Sequence, residues 1–349
     1  MMIVPTEIQI DLEAYCNDNC EFCSYRKEDG YNNMMLELIG AQPGKEYHDN
    51  LPTGKPSASS RIPLEFAETL PRQMKEAGIP SIELTGGGEP TLWPAFDTLY
   101  ENLGLNNIEI GLVTNGSTLS DKRAELIRKY GMWCRISMDA ATSKTHKIIH
   151  RTSNEDFDRR INNIKKLTNN KPDTLTVGIS FIITQDNYEE VYAAAHLYSK
   201  LNLDHLRYSW MYDKEGKGGL TSDQIEDLKH EIKFLQGVYD TDKFKIFTEA
   251  DRIDLYSRPN TDFKTCYYQR FVMAIGADSL VYPCCIQKYH KGYGYADIRE
   301  NTLKEIVQSI NTKEFMDNLN VTACNPCWLR NRNKSIGATV EQPKHHNFI

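Results

Sequence analysis

The 349-residue sequence predicts an α/β fold, an incomplete barrel of strand–helix units followed by a small Cys-rich module. Two observations predict it. Between about residues 5 and 212, short β-rich runs alternate with longer runs whose apolar residues recur at helical spacing, a rhythm that implies a parallel sheet. Beyond residue 260 that rhythm stops, and five of the nine cysteines fall between 266 and 327.

The strand candidates, in order, are TEIQIDL, SIELTGG, IEIGLVT, WCRISMD, LTVGISFII and HLRYSW, all rich in Ile, Val, Thr or aromatic residues. Between and around them, LEFAETLPRQMKEAG, KRAELIRKYG, NEDFDRRINNIKKLTNN and YEEVYAAAHLYSKLN carry the helical period. Six units rather than eight predict a partial (β/α)6 barrel of the TIM type over residues 1–215, with its chemistry at the carboxyl ends of the strands. Residues 27–62 interrupt the rhythm with Gly, Pro, Ser and Asn; a loop so long predicts a lid over the first cysteines or disorder. A helical linker is expected over 216–259, with Ser222 as the N-cap of SDQIEDLKHEIKFLQGVYD. The Cys-rich β-hairpin/helix module is expected over 260–335 and a loose tail over 336–349.

Composition narrows the function. Lys and Arg number 41 against 48 Asp and Glu, with no basic run, so the phosphate-tracking stripe of a nucleic-acid binder is missing. No apolar run approaches the roughly 20 residues of a membrane span. The N-terminus shows no signal-peptide pattern, which predicts a cytoplasmic protein acting on a small molecule or a peptide. In that compartment nine cysteines are not a disulfide framework. Their grouping, Cys16, Cys20 and Cys23, then Cys134 alone, then Cys266, Cys284, Cys285, Cys324 and Cys327, predicts two metal sites.

The first group, in DLEAYCNDNCEFCSYR, offers three thiolates and no neighbouring fourth protein ligand. A closed structural zinc site needs four, whereas a 4Fe–4S cube held by three keeps one iron open. Cys266 and Cys284 flank 17 residues that read as a β-hairpin, and Cys324 and Cys327 form a CxxC turn. Those four thiolates suit zinc or a second 4Fe–4S cluster. Cys134 reads as a buried small residue and Cys285 as a spare or alternative ligand.

Cys16, Cys20, Phe22 and Cys23 match the CxxxCxφC signature, so the chain resembles the radical S-adenosylmethionine (radical SAM) enzymes, with Phe22 at the aromatic position. Further stretches follow in the family's order. TGGGEP resembles the motif in which Gly86, Gly87, Gly88 and Glu89 hold the methionyl ammonium of S-adenosylmethionine; glycines admit close approach, and a carboxylate suits an ammonium. It is not a phosphate-binding GxGxxG loop, because Thr91 stands at its last position. The resemblance carries Asn115 of LVTNGS to the border of the cofactor and Ser137 and Asp139 of RISMDA to its ribose or carboxylate. It adds Thr184 and Asn187 of SFIITQDN as further cofactor contacts.

The second half looks like the twitch form of the SPASM auxiliary domain, with Cys266, Cys284, Cys324 and Cys327 around an auxiliary 4Fe–4S cluster. It departs from the pattern at Ser279, where a glycine is usual ahead of the second cysteine. The resemblance implies two clusters and S-adenosylmethionine as cofactors, a reduced flavodoxin- or ferredoxin-type donor, and a 5′-deoxyadenosyl radical that takes hydrogen from substrate. The cysteine layout is similar to that of the family's aminocyclitol dehydrogenase, which implies oxidation of a small sugar- or cyclitol-like metabolite. A peptide-modifying maturase is the alternative, and a zinc-stabilised, non-catalytic binding protein is the alternative of another class. Arg207 is the candidate for assisting proton loss or binding substrate.

Overall fold

The computed structural model describes residues 4–20, 22–23, 25, 60–211, 218–248, 263–290, 292–321, 324, 327 and 329–340. The expected lid therefore lies outside the described residues except for Ser60, Arg61 and Ile62. Of these, Ile62 is buried and Arg61 bridges to Glu13.

Six strands stand where the alternation places them: β1 (Glu7–Asp11), β2 (Ser81–Thr85), β3 (Glu109–Thr114), β4 (Gly131–Ser137), β5 (Thr176–Ile183) and β6 (His205–Trp210). The helices following them are α1 (Phe66–Ala77), α2 (Phe96–Leu105), α3 (Asp121–Tyr130), α4 (Ser143–His150), α5 (Asn154–Thr168), α6 (Val191–Tyr198) and α7 (Ser222–Tyr239). Local chemistry sets their ends. Gly78 closes α1 in the left-handed conformation at φ 76°, and Ser120 accepts from the Arg123 N–H at the start of α3. The cap of α7 is Thr221 rather than Ser222, because Thr221 and Gln224 form a reciprocal capping box one residue earlier.

The 216–259 segment is more than a helical linker. After α7 a seventh strand, β7 (Lys245–Thr248), pairs in parallel with β6. Its four residues are too few to show alternation. The Cys-rich module also joins the sheet. Strands β8 (Val272–Ile275), β9 (Leu280–Tyr282) and β10 (Ala296–Asp297) extend it beyond β1, giving the order β10-β9-β8-β1-β2-β3-β4-β5-β6-β7. β8 runs parallel to β1, and one apolar core takes in Ile8 and Ile10 together with Leu280, Val281 and Tyr282. Helices α8 (Leu303–Gln308), α9 (Ile310–Asn318) and α10 (Arg330–Val340) complete the module, α8 packing on α1. The expected tail is thus helical through Val340: Gly337 lies against the Tyr267 ring, where an added Cβ would stand 3.2 Å from it.

Because β1 to β7 lie side by side in sequence order, right-handed crossovers put their helices on one face. That face is apolar, with Ile10, Leu84, Leu112, Ile136, Ile179 and Leu206 buried. The alternate residues, including Gln9, Glu83, Arg135, Ser180 and Arg207, line the opposite, concave face.

Candidate functional site

The segment after β1 crosses the carboxyl ends of the strands and is held there by the turns after β2 and β3 and by the end of α4. Gly88 makes the closest approach, since a Cβ on it would stand 2.1 Å from the Tyr15 carbonyl oxygen, and the Glu89 N–H donates to that same oxygen at 2.9 Å. The Asn17 amide donates to Ser117 Oγ at 2.9 Å and accepts from Asn115 Nδ2 at 2.9 Å, tying the loop to the end of β3. Asn19 N–H donates to the His150 carbonyl, and the Cys23 N–H to that of Cys20. Cys16, Cys20 and Cys23 are all half-buried, as is Phe22.

Beneath this loop lies a charge network that the sequence reading missed. Asp18 is buried between Arg160 of α5, whose Nη1 donates to Oδ2 at 2.9 Å, and His150 of α4, whose Nδ1 lies 3.1 Å from that oxygen. Burial works against the Asp18 charge, yet the bonds from His150 and Arg160 hold its carboxyl well below the usual range. The other His150 nitrogen, Nε2, lies 3.2 Å from Asp139 Oδ2, and Nδ1 also lies 3.3 Å from Cys20 Sγ. Asp156 pairs with Arg160 and with His146, at 2.7 and 3.0 Å. The only sequence signal was polarity at helix positions that face the sheet.

Glu89 is 2% exposed. Its Oε1 accepts from the Thr91 N–H at 3.1 Å, Thr91 Oγ1 at 2.5 Å and Thr114 Oγ1 at 2.6 Å; Oε2 accepts from the Asn115 N–H at 2.7 Å. Burial pushes the carboxyl up from its ordinary value, and these bonds oppose that without overcoming it. Glu89 therefore ties the ends of β2 and β3 together. Oε2, with one donor, keeps capacity for another. Gly86 and Gly87 complete this turn; Gly87 faces the Tyr25 ring, where a Cβ would stand 3.3 Å from it.

At the ends of β4 and β5, Asp139 Oδ1 accepts from the Ile182 N–H at 2.6 Å. Thr184 and Asn187, expected at a cofactor, are 5% and 2% exposed and act inside the turn instead. Asn187 Nδ2 donates to the carbonyls of Asp139 and Ile182, each at 2.8 Å, and its Oδ1 accepts from the Thr184 N–H at 2.7 Å. Two donors and an acceptor so engaged leave little for a ligand. Ser137 is half-exposed on the concave face, opposite Ser180 on β5, and Arg207 donates to Ser180 Oγ at 3.3 Å.

In the module, Cys266, Cys284, Cys324 and Cys327 line one pocket with Tyr268 and Leu329. Burial pushes the Cys284 thiol well up, and its neighbour Cys285, then Cys324, Cys266 and Cys327, each add to the shift. Burial raises Cys327 to about 12 and, at the first site, Cys16 to about 12. Bare thiols here hold their protons, and a metal must displace them. Asn333 of α10 fixes the segment around Cys266: its Oδ1 accepts from the Tyr267 and Tyr268 N–H groups, and its Nδ2 donates to the Thr265 carbonyl. Cys285 does not line the pocket. Its thiol is raised by burial to about 11, with Lys288 opposing and Glu83 and Asp11 adding to the shift, and it in turn adds to the shifts of Cys284 and Cys327. Cys134 is buried in the core of the barrel, as expected. Ser279 takes φ 71°, the left-handed region that explains why a glycine is usual there.

The two cysteine regions meet at Asp11. Its carboxylate pairs with the buried Lys288 and accepts from Tyr289 Oη at 2.7 Å, and the Tyr25 ring, two residues beyond Cys23, packs edge-on to Tyr289.

Both donor sets fit iron–sulfur clusters. Zinc at about 2.3 Å from each of four thiolates brings sulfurs within about 4 Å of one another. Among the described residues the one group of three or more Cys, His, Asp or Glu whose ligand atoms all lie within 4.8 Å is Asp18, Cys20 and His150. Asp18 in that group is committed to Arg160. Among the described residues no three thiols of either set all lie within 4.8 Å of one another, and a multi-iron cube holds its thiolates further apart than a single zinc does.

Comparison with known proteins agrees. The model of the radical SAM superfamily matches residues 14–198, just over half of the chain, and that of the SPASM iron–sulfur cluster-binding domain matches 266–328. An S-adenosylmethionine-dependent nucleotide dehydratase of Flammeovirga pacifica is 29% identical over 159 residues, 46% of this chain and 47% of its own. A tungsten-containing aldehyde ferredoxin oxidoreductase cofactor-modifying protein of Pyrococcus furiosus is 22% identical over 93% of this chain and 87% of its own. The chain's matches span 47%, 36% and 65% of the length of three of the curated relatives, less than two thirds in each. Among solved structures, Streptococcus suis SuiB bound to the precursor peptide SuiA superposes with a TM-score of 0.65 at 16% identity, over 91% of this chain and 67% of that one. No helix among the described residues is long and apolar enough to cross a membrane. The cofactors are 4Fe–4S clusters and S-adenosylmethionine, which excludes the non-catalytic zinc protein, and the chain belongs to the radical SAM superfamily of enzymes, with an iron–sulfur-binding SPASM domain at its C-terminal side.

Proposed function

We propose that this radical SAM enzyme oxidises a small polar metabolite, sugar- or cyclitol-like, bound on the concave face of the sheet. The observation that carries the reading is the position of that face. It is polar, it opens at the strand ends beneath the Cys16–Cys23 loop, and Asp11 and Glu83 on it adjoin Lys288 and Cys285 of the module.

Cys16, Cys20 and Cys23 would hold the first cluster, and Cys266, Cys284, Cys324 and Cys327 the second. When bound, the first cluster and S-adenosylmethionine supply a carbon-centred radical able to take hydrogen from an unactivated C–H bond, and the second can accept an electron. The chain's own residues position and shield. Glu89 Oε2 can accept from the methionyl ammonium while its other bonds keep the ends of β2 and β3 fixed. Asp139, locked by Ile182, Asn187 and His150, is a rigid border to the same site, and Ser137 offers a hydroxyl. Asp11, Lys288 and Tyr289, all buried, close the side toward the module to water. A flavodoxin- or ferredoxin-type protein is the proposed reductant.

Anaerobic reconstitution tests this. About eight iron and eight sulfide per chain are expected for two four-iron cubes, with 5′-deoxyadenosine released under dithionite. Deuterium passing into 5′-deoxyadenosine from a labelled polyol supports the metabolite. Deuterium arriving only from a peptide would move the reading to a maturase.

A further inference from the structure

We propose that the concave face carries an anion subsite built from Arg135 and Arg207, so that the substrate bears a carboxylate or a phosphate. This rests on the concave face being the substrate chamber.

Three observations support it. First, the strand register puts the two arginines on one face around a gap. Arg135 on β4 is opposite Gly178 on β5, Gly178 is opposite His205 on β6, and Arg207 is the next inward residue of β6, opposite Ser180. Two strand spacings, about 10 Å, separate the strands that bear them, within reach of two long side chains converging on one anion. Second, the space between them is kept small-sided. A Cβ on Gly178 would stand 2.1 Å from the His205 ring, so the imidazole lies over the glycine. Burial, followed by repulsion from Arg135 and Arg207, lowers the His205 pKa.

Third, Arg135 is oriented without being neutralised. Its guanidinium stands 5.5 Å from the centroid of the Trp133 ring, and that indole is itself seated over a glycine, Gly111, where a Cβ would be 2.3 Å from it. No ion pair to Arg135 occurs among the described residues, whereas Arg160, Arg123 and Arg299 all pair with carboxylates. Stacking leaves the edge of the guanidinium, with its forked donors, for an oxyanion. The hydroxyls of Ser137 and Ser180 lie on the same face, one step nearer the carboxyl ends of the strands, and can complete the set. An anion anchored at this depth would present the remainder of its molecule to the strand ends, where hydrogen is taken.

The test uses the full chain, reconstituted anaerobically with iron and sulfide. Broadening of the phosphorus NMR signal of inorganic pyrophosphate and saturation transfer to the protons of succinate read the two chemistries separately. Binding of either probe is expected, pyrophosphate alone marking a phosphorylated substrate and succinate alone a carboxylate. Arg135→Gln and Arg207→Gln should each weaken it at least tenfold, and Arg135→Lys by about threefold, since charge survives but the fork is lost. Lys229→Gln, at a half-exposed position of α7, should leave it unchanged. If the glutamine variants do not fold, Ser180→Ala, which removes a donor and the Arg207 contact, should still weaken binding severalfold. No binding of either probe to the wild-type chain, or equal binding to the wild type and the variants, overturns the proposal. Release of 5′-deoxyadenosine is measured on the same samples. Its absence with anion binding intact sinks the radical reading alone, and its presence without anion binding sinks the subsite alone.

Discussion

Arg160 and Asp18 join α5 to the cysteine loop by a two-point ion pair, Nη1 to Oδ2 at 2.9 Å and Nη2 to Oδ1 at 2.5 Å, with the arginine fully buried. A loop between two thiols is thereby fixed by a helix 142 residues further along the chain. Removing one partner leaves the other charged and buried, which typically costs about 3–5 kcal/mol. Arg160→Gln is expected to lower the denaturation midpoint accordingly and to impair iron uptake at the first site more than at the second. Equal loss at both sites would show that Arg160 supports the fold in general rather than the loop.

The assignment of ligands is tested by subtraction. Cys16→Ala, Cys20→Ala and Cys23→Ala together should leave about four iron per chain, those of one cube, and abolish release of 5′-deoxyadenosine. Cys285→Ala should leave iron content unchanged, because Cys285 does not line the four-thiol pocket. Loss of about half the iron in the Cys285 variant would make it a ligand.

Lys288 and Asp11 are 1% and 0% exposed and join the module to β1. Lys288→Met should destabilise by about 3–5 kcal/mol, whereas Lys288→Met combined with Asp11→Asn should recover part of that loss, since no charge is then stranded. Denaturant titration of the four proteins of the cycle gives the coupling; strict additivity would contradict the pairing.

Asp156 predicts a pH dependence. Burial would raise its pKa, but the His146 bond and the Arg160 and Arg159 charges prevail and lower it from 3.8 to about 2. A carboxyl whose folded value lies below its unfolded value contributes stability above the unfolded value and loses it as pH falls through the folded one. The stability gap between the wild type and Asp156→Asn should therefore be full at pH 7 and shrink between about pH 4 and pH 2. A gap that is constant across that range would exclude the linkage.

Ser279 holds φ 71° in the β8–β9 turn. Relief of that strain, about 1–2 kcal/mol, exceeds the extra chain entropy of glycine, about 0.5–1 kcal/mol, so Ser279→Gly should raise the melting temperature slightly. A lower melting temperature would show that the Ser279 side chain makes a compensating contact.

Much of the fold was legible in the sequence because strand and helix periods are local. HLRYSW is β6 residue for residue, and α5 was read from its start at Asn154. The short β7 and the ten-residue α2 were not, since Lys245–Thr248 spans too few residues to show alternation and α2 lacks a capping side chain. At the site, the cysteines and the TGGGEP turn were legible because thiols and glycines in fixed spacing have few other uses. Thr184 and Asn187 bond within their own turn, which the sequence could not show, because a polar residue at a strand end looks the same whether it faces a ligand or its own backbone.

By itself the sequence determined the donor chemistry and the order of the elements: three thiols, a glycine–carboxylate turn, then four thiols, on alternating strands and helices. Only the tertiary structure decided which charges stand together. It placed Asp18 on Arg160 and Asp11 on Lys288, set Arg135 and Arg207 on one face two strands apart, and merged the module into the sheet of the barrel. The physical reason is range. Periodicity and thiol spacing act over a few residues, whereas a buried charge finds its partner through packing, at separations such as the 277 residues between Asp11 and Lys288 that no local pattern records.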